Sequence, residues 1–200
     1  EAYLSRAKCY EKSDANLAIT DYLKAFNLDS ANLSPLYSVA LILLKSDKVL
    51  AEEMYKTILS LNNDEYIAMS QLGIIAFMDE KYEYSEKFFT QSLALNINAY
   101  TLNDRGSCYR KLDELDLAIS DYLAAISLNN SFAFIYSNLA SVYAKKGLLD
   151  KALNYYDLAI FKDANYALAY NNKASVLLGV EEFEKAKIEI DRALVVDATY

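Results

Sequence analysis

Apolar side chains recur along this chain in short stripes, three and four residues apart. Between 133 and 145, Tyr136, Leu139, Ala140 and Tyr143 stand at i, i+3, i+4 and i+7, one face of an α-helix. Ala152, Tyr156 and Ala159 draw a second stripe at i, i+4 and i+7 just downstream. Lys145, Lys146 and Gly147 lie between the two, so the spacing predicts a pair of amphipathic helices joined by a short turn. The pattern recurs along the whole chain. A small residue followed four positions later by an aromatic one occurs at Ala18/Tyr22, Ala51/Tyr55, Ser85/Phe89, Ala118/Tyr122 and Ala152/Tyr156, at successive spacings of 33, 34, 33 and 34 residues. Ala186/Ile190 follows after another 34. Upstream of each stands a second small residue with a partner three later: Ala7/Tyr10, Ala40/Leu43, Gly73/Ala76, Gly106/Tyr109, Ala140/Tyr143 and Ala174/Leu177. The stretch from Leu17 to Ala25 is nearly reproduced from Leu117 to Ala125.

A small residue at a fixed point of each stripe lets two helix axes approach closely, and the aromatic four residues on fills the space between neighbouring pairs. One pair cannot cover its own apolar face, so the pairs must stack. Asp29, Asn62, Asn96, Asn129, Asp163 and Asp197 occupy one register position of the six units. Such residues leave helical geometry readily and mark where each second helix ends. Pro35 behind Ser34 suits the first turn of a helix. The recurrence of Tyr22, Tyr55, Tyr122, Tyr143 and Tyr156 at packing positions makes them core rather than a base-stacking surface.

A helix-turn-helix unit of about 34 residues with the pattern Leu139-Ala140-x-x-Tyr143, then Ala152-x-x-x-Tyr156 and Ala159, resembles the tetratricopeptide repeat. Leu72-Gly73 and Ser85-x-x-x-Phe89 fit it as well. The resemblance covers the chain and implies an all-α, right-handed superhelical solenoid of about six repeats, a single domain over 1–200. The repeats run approximately over 1–32, 33–65, 66–98, 99–132, 133–166 and 167–200. Two departures stand out. The family's proline after each second helix is absent, and Ile58 takes a usually small site, which predicts looser packing of the second repeat. No residues remain for the family's extra capping helix, which leaves Leu194 and Val195 near an uncovered end and predicts self-association there.

In this family the first helices of the pairs line a concave groove that receives a peptide segment or a partner helix. Carried across by register, the lining positions are Asn103, Asp104, Ser107, Ser137, Asn138, Ser141, Asn171, Asn172 and Ser175, a polar ladder able to hold a peptide backbone through amide donors and acceptors. The same register in the second and third repeats gives Tyr37, Leu41, Leu44, Ile67, Ile74, Phe77 and Met78, with Ser70 and Gln71 among them. That apolar stretch either seats a ligand's apolar side chains or is core displaced by one position. Lys12, Lys45, Lys111 and Lys145 fall near the ends of first helices. They either answer the helix dipole or form a basic edge for an acidic partner segment. The family's two-carboxylate clamp for acidic chaperone tails is not expected, because Asn103, Ser107, Leu168 and Asn172 stand where Lys, Asn, Lys and Arg are needed.

Composition narrows the chemistry. With no histidine among the 200 residues, the commonest general base and metal ligand are missing, so no catalytic residue, metal or cofactor is expected. Glu181-Glu182 reads as solvated charge in a turn. A net charge of −8 opposes nucleic-acid binding, and no run of about 18 apolar residues predicts a membrane span. Cys9 and Cys108 are expected as buried free thiols, since they fall at one register position of two distant repeats. The chain begins with Glu1, as a processed form or a piece of something longer does. The expectation is a cytoplasmic protein-protein interaction scaffold. The alternatives are the recognition segment of a larger enzyme, or a secretion or envelope-assembly chaperone.

Overall fold

A computed structural model describes residues 1–197 of the chain, and the regular structure among them is twelve α-helices. They divide between two compact units, Glu1–Asn96 and Ile97 onward. The first unit holds α1 (Ala2–Tyr10), α2 (Ala15–Leu28), α3 (Ser34–Ser46), α4 (Lys48–Leu61), α5 (Tyr66–Met78) and α6 (Tyr82–Leu95). The second holds α7 (Ala99–Lys111), α8 (Leu115–Leu128), α9 (Ala133–Lys145), α10 (Leu149–Lys162), α11 (Ala167–Gly179) and α12 (Phe183–Val196). Each unit is thus three of the expected helix pairs. Every first helix packs on its own second helix, and within a unit each second helix packs on the first helix of the next pair.

The predicted small and aromatic positions build the core. Ala18, Ala51, Ala118, Ala152 and Ala186 are enclosed, as are Tyr22, Tyr55, Phe89, Tyr122 and Tyr156. The closeness of the helices is measured at Gly73, where an added Cβ would lie 2.6 Å from Cε1 of Phe89, and at Gly106, where it would lie 3.0 Å from Cε1 of Tyr122. Ile58 is fully enclosed in a cluster with Leu36, Tyr55, Ala68 and Ile75. The looser packing expected there is not seen, because its bulk fills the space a small residue leaves to its neighbours. Cys108 is buried but Cys9 is exposed on α1, and both are free thiols. The expectation of two buried thiols therefore fails at Cys9.

Helix ends follow two rules. Asp29, Asn62, Asn96, Asn129, Asp163 and Asp197 all close a second helix with φ between −144° and −150°, as their register predicts. The turns inside the pairs are of two kinds. In the first unit, Asp14 and Asp47 cap α2 and α4 through side-chain bonds to backbone N–H groups, as good N-caps do. In the four later pairs the turn instead passes through a left-handed residue, Glu80, Asp113, Gly147 or Glu181, with φ of 60° to 74°. Pro35 lies in the first turn of α3 as expected, although the cap is Leu33 and the helix already begins at Ser34.

A further regularity lies just before the small residue of each first helix. In three pairs that residue is basic and faces an acid on the second helix. Arg6 forks onto Asp21 at 2.6 and 2.9 Å, Arg105 onto Asp121 at 2.7 and 2.8 Å, and Lys173 reaches Glu189 at 2.7 Å. In the other three pairs the equivalent positions are Val39/Met54, Leu72/Phe88 and Leu139/Tyr155. A pair is either ionic or apolar at both ends, never mixed.

Candidate functional site

The first helices of the second unit carry the polar ladder, and its upper rungs are joined. Nδ2 of Asn138 on α9 donates to Oδ1 of Asn103 on α7 at 2.8 Å, and Nδ2 of Asn103 donates in turn to Oδ1 of Asp104 at 3.1 Å. Asn103 is 7% exposed, so it braces the row from beneath. Asn138 and Asp104 are half-buried, and on α11 Asn172 is half-buried while Asn171 and Ser175 are exposed. Burial pushes the Asp104 carboxyl up to about 6, while the Asn103 bond draws it back. Desolvation without a nearby cation acts in that direction on any carboxylate.

Four positions differ from the expected ladder: Asn103, buried beneath the row, and three serines. Ser137 is buried, within the packed interior. Ser107 donates to the Asn103 carbonyl and lies 3.0 Å from the Tyr122 hydroxyl, and Ser141 donates to the Asn138 carbonyl. Serine hydroxyls in helices commonly bond back to the preceding turn, so these two order the scaffold. The groups left facing outward are those of Asp104, Asn138, Asn171, Asn172 and Ser175.

An aromatic cluster borders this row. Tyr100 stands one helical turn before Asp104, and Phe134 one turn before Asn138, so each pair shares a helix face. Their ring centroids are 6.2 Å apart, and Phe132 lies 4.8 Å from Tyr100 and 5.4 Å from Phe134. Tyr100 is 58% exposed. Sequence periodicity does not single these aromatics out, because they stand at neither the packing nor the polar register positions. The signal was present, in two aromatics each four residues before a ladder residue.

Of the four candidate lysines, Lys145 is held in an ion pair, and Lys12 and Lys45 are exposed. Lys145 pairs with Asp113 at 2.7 Å, its neighbour Lys146 bonds Asp116, and Lys111 and Lys145 are exposed. In the first unit the apolar candidates separate. The Tyr37 ring packs on the Tyr55 cluster and its hydroxyl donates to Glu65 at 2.8 Å. Phe77 sets its edge on Tyr82, and Leu44 packs on the same cluster as Tyr37. Ile74 is half-buried, whereas Leu41, Ile67 and Met78 are exposed. Leu41 lines a cleft of about 320 Å³ with Glu11, Ser38 and Lys45. Tyr37 and Leu44 thus belong to the core side of the apolar stretch, while Leu41, Ile67 and Met78 stand at the surface.

Among the described residues there is no cluster of acids and thiols able to hold a metal, and no helix is long and apolar enough to cross a membrane.

A TPR repeat family model matches residues 106–147, and a tetratricopeptide repeat model matches residues 135–160. No curated protein matches the chain. Among solved structures, YrrB, described as a TPR protein with an unusual peptide-binding site, is 22% identical with a TM-score of 0.68, covering 88% of this chain and 92% of its own. PilF of Pseudomonas aeruginosa is 15% identical with a TM-score of 0.80, covering 100% of this chain and 92% of its own. MamA of Desulfovibrio magneticus RS-1 is 15% identical with a TM-score of 0.72, covering 82% of this chain and 94% of its own. At these identities the likeness is one of fold.

Proposed function

We propose that this chain, a tetratricopeptide-repeat protein and by its repeats a protein-interaction scaffold, holds an extended segment of a partner protein along the first helices of its second unit. The observation that carries this is the braced row from Asn103 to Asn138 with Asn172 one repeat on. Amides held in a line meet successive N–H and C=O groups of an extended backbone whatever its side chains. Tyr100 and Phe134 beside the row offer the apolar anchor that gives such contacts affinity. The scaffold acts without chemistry of its own, and a cytoplasmic location is part of this reading.

The test uses the full chain to select from a displayed library of random linear peptides, with affinities of the selected peptides measured by calorimetry. Asn171→Ala with Asn172→Ala removes outward amides that brace nothing, so the fold stays intact. Two hydrogen bonds of roughly 0.5–1.5 kcal/mol each correspond to a loss of about tenfold. Tyr100→Ala should weaken the same peptides. Peptides that bind both variants as tightly as the wild type place the binding surface elsewhere.

A further inference from the structure

Asp104 is a carboxylate without a counter-ion in the part of the molecule the partner segment would touch. Its one hydrogen bond among the described residues comes from Asn103, which occupies Oδ1 and leaves Oδ2 open. Among the described residues, none of the cations on the elements around it pairs with it. On α7, Arg105 forks onto Asp121 of α8, Arg110 acts on the Tyr122 hydroxyl while its Nε is buried without a hydrogen-bond partner, and Lys111 is exposed near the helix end. On α9, Lys145 is held by Asp113, and Lys146 in the turn after it by Asp116. On α11, Lys173 bridges Asp157 and Glu189.

An amide at this position would accept the same Asn103 bond without the cost of a desolvated charge, so scaffolding alone does not call for a carboxylate. A cation placed on Oδ2 recovers that cost, because it supplies the opposite charge where water is already thinned. The surface next to it fits the rest of such a side chain. Tyr100, one turn before Asp104 on α7 and 58% exposed, packs with Phe132 and Phe134 into an aromatic patch suited to the alkyl stem of lysine or the planar guanidinium of arginine. The net charge of −8 speeds encounter with a basic segment, whereas Lys145, the one lysine of the basic edge on α9, is already paired with Asp113.

Resting on the groove reading above, we propose that the partner segment carries an arginine or lysine whose cation binds the free oxygen of Asp104 and whose stem lies against Tyr100 and Phe134. The test takes a peptide selected by the full chain from the random library and replaces its basic residue by citrulline, the neutral isostere of arginine. On the wild type this should weaken binding about tenfold or more, the range of a charge-assisted hydrogen bond. On Asp104→Asn it should change nothing, while Asp104→Asn itself should weaken the parent peptide by a similar factor. Selected peptides without a basic position in common, or a citrulline effect of equal size on both proteins, overturn the inference and leave the groove standing. Selected peptides indifferent to Asn171→Ala with Asn172→Ala and to Tyr100→Ala overturn the groove, and the inference with it.

Discussion

Replacing Asp104 by Asn should make the protein more stable at neutral pH, and by an amount that depends on pH in a defined direction. Asn keeps an oxygen for the Asn103 amide, 3.1 Å away, and removes the ionisation. In the folded chain burial lifts the carboxyl from its ordinary 3.8 to about 6. Between about pH 4 and pH 6 the native state therefore holds a proton that the unfolded state has lost, and stability falls as pH rises through this window. At about 1.4 kcal/mol per pH unit, the full cost above pH 6 is about 3 kcal/mol. Below about pH 4 both states are protonated and the cost vanishes. Urea unfolding of wild type and Asp104→Asn should thus give nearly equal stabilities at about pH 4 and a variant about 2–3 kcal/mol more stable at about pH 7.5. A constant offset across the range, or a wild type that is the more stable at neutral pH, would refute the claim that this charge is uncompensated.

Other substitutions probe the packing. Gly73→Ala sets a methyl 2.6 Å from the enclosed Phe89 ring. Overpacking of about 1–3 kcal/mol, less up to about 1 kcal/mol of regained helix propensity, should destabilise the chain in thermal unfolding. An unchanged melting temperature means the ring has room to move. Arg105→Ala strands Asp121, whose side chain is 9% exposed, and should cost about 3 kcal/mol. Arg105→Leu with Asp121→Phe, copying Leu72/Phe88, should recover most of that loss in the same denaturant titration. At the C-terminal end, Ile188, Val195 and Tyr170 line an open cleft, and Leu194 and Val195 are exposed. If this apolar surface drives association, Leu194→Lys should shift sedimentation velocity toward the monomer, and identical profiles for the two proteins would rule that surface out.

Much of this architecture was legible because a repeated fold states its packing rule six times. The small residue of a first helix and the aromatic of its second, such as Gly106 and Tyr122, meet within one repeat, so their recurrence gives the helix pairs and their boundaries. What the register could not convey is how side chains share partners across space. It assigned Ser107 and Ser141 to the groove face, but both hydroxyls bond within the scaffold, a choice set by local geometry. The left-handed turns at Glu80, Asp113 and Glu181 were hidden because glycine, the usual sign of that backbone, occurs at only one of the four equivalent sites. Asp104 was placed on the groove face by sequence. Its isolation became visible only once Arg105 and Lys145 were seen to be bound elsewhere.

The alternation of ionic and apolar pairs also bears on how a chain of near-copies avoids tangling during folding. Leu17 to Ala25 and Leu117 to Ala125 are so alike that their helices could exchange partners, and at the ionic position α1 would accept α8 as readily as α2. Between pairs of different kind the exchange is blocked. Setting Leu72 against Asp121, or Arg105 against Phe88, strands a charge beneath the surface, at a cost comparable to breaking a buried ion pair. The first, fourth and sixth pairs thus speak one dialect and the second, third and fifth another, so neighbours in sequence mostly cannot trade helices. The exception is the second and third pairs, both apolar and adjacent, where Val39/Met54 and Leu72/Phe88 differ only in volume. A domain-swapped form of this chain would most readily arise there.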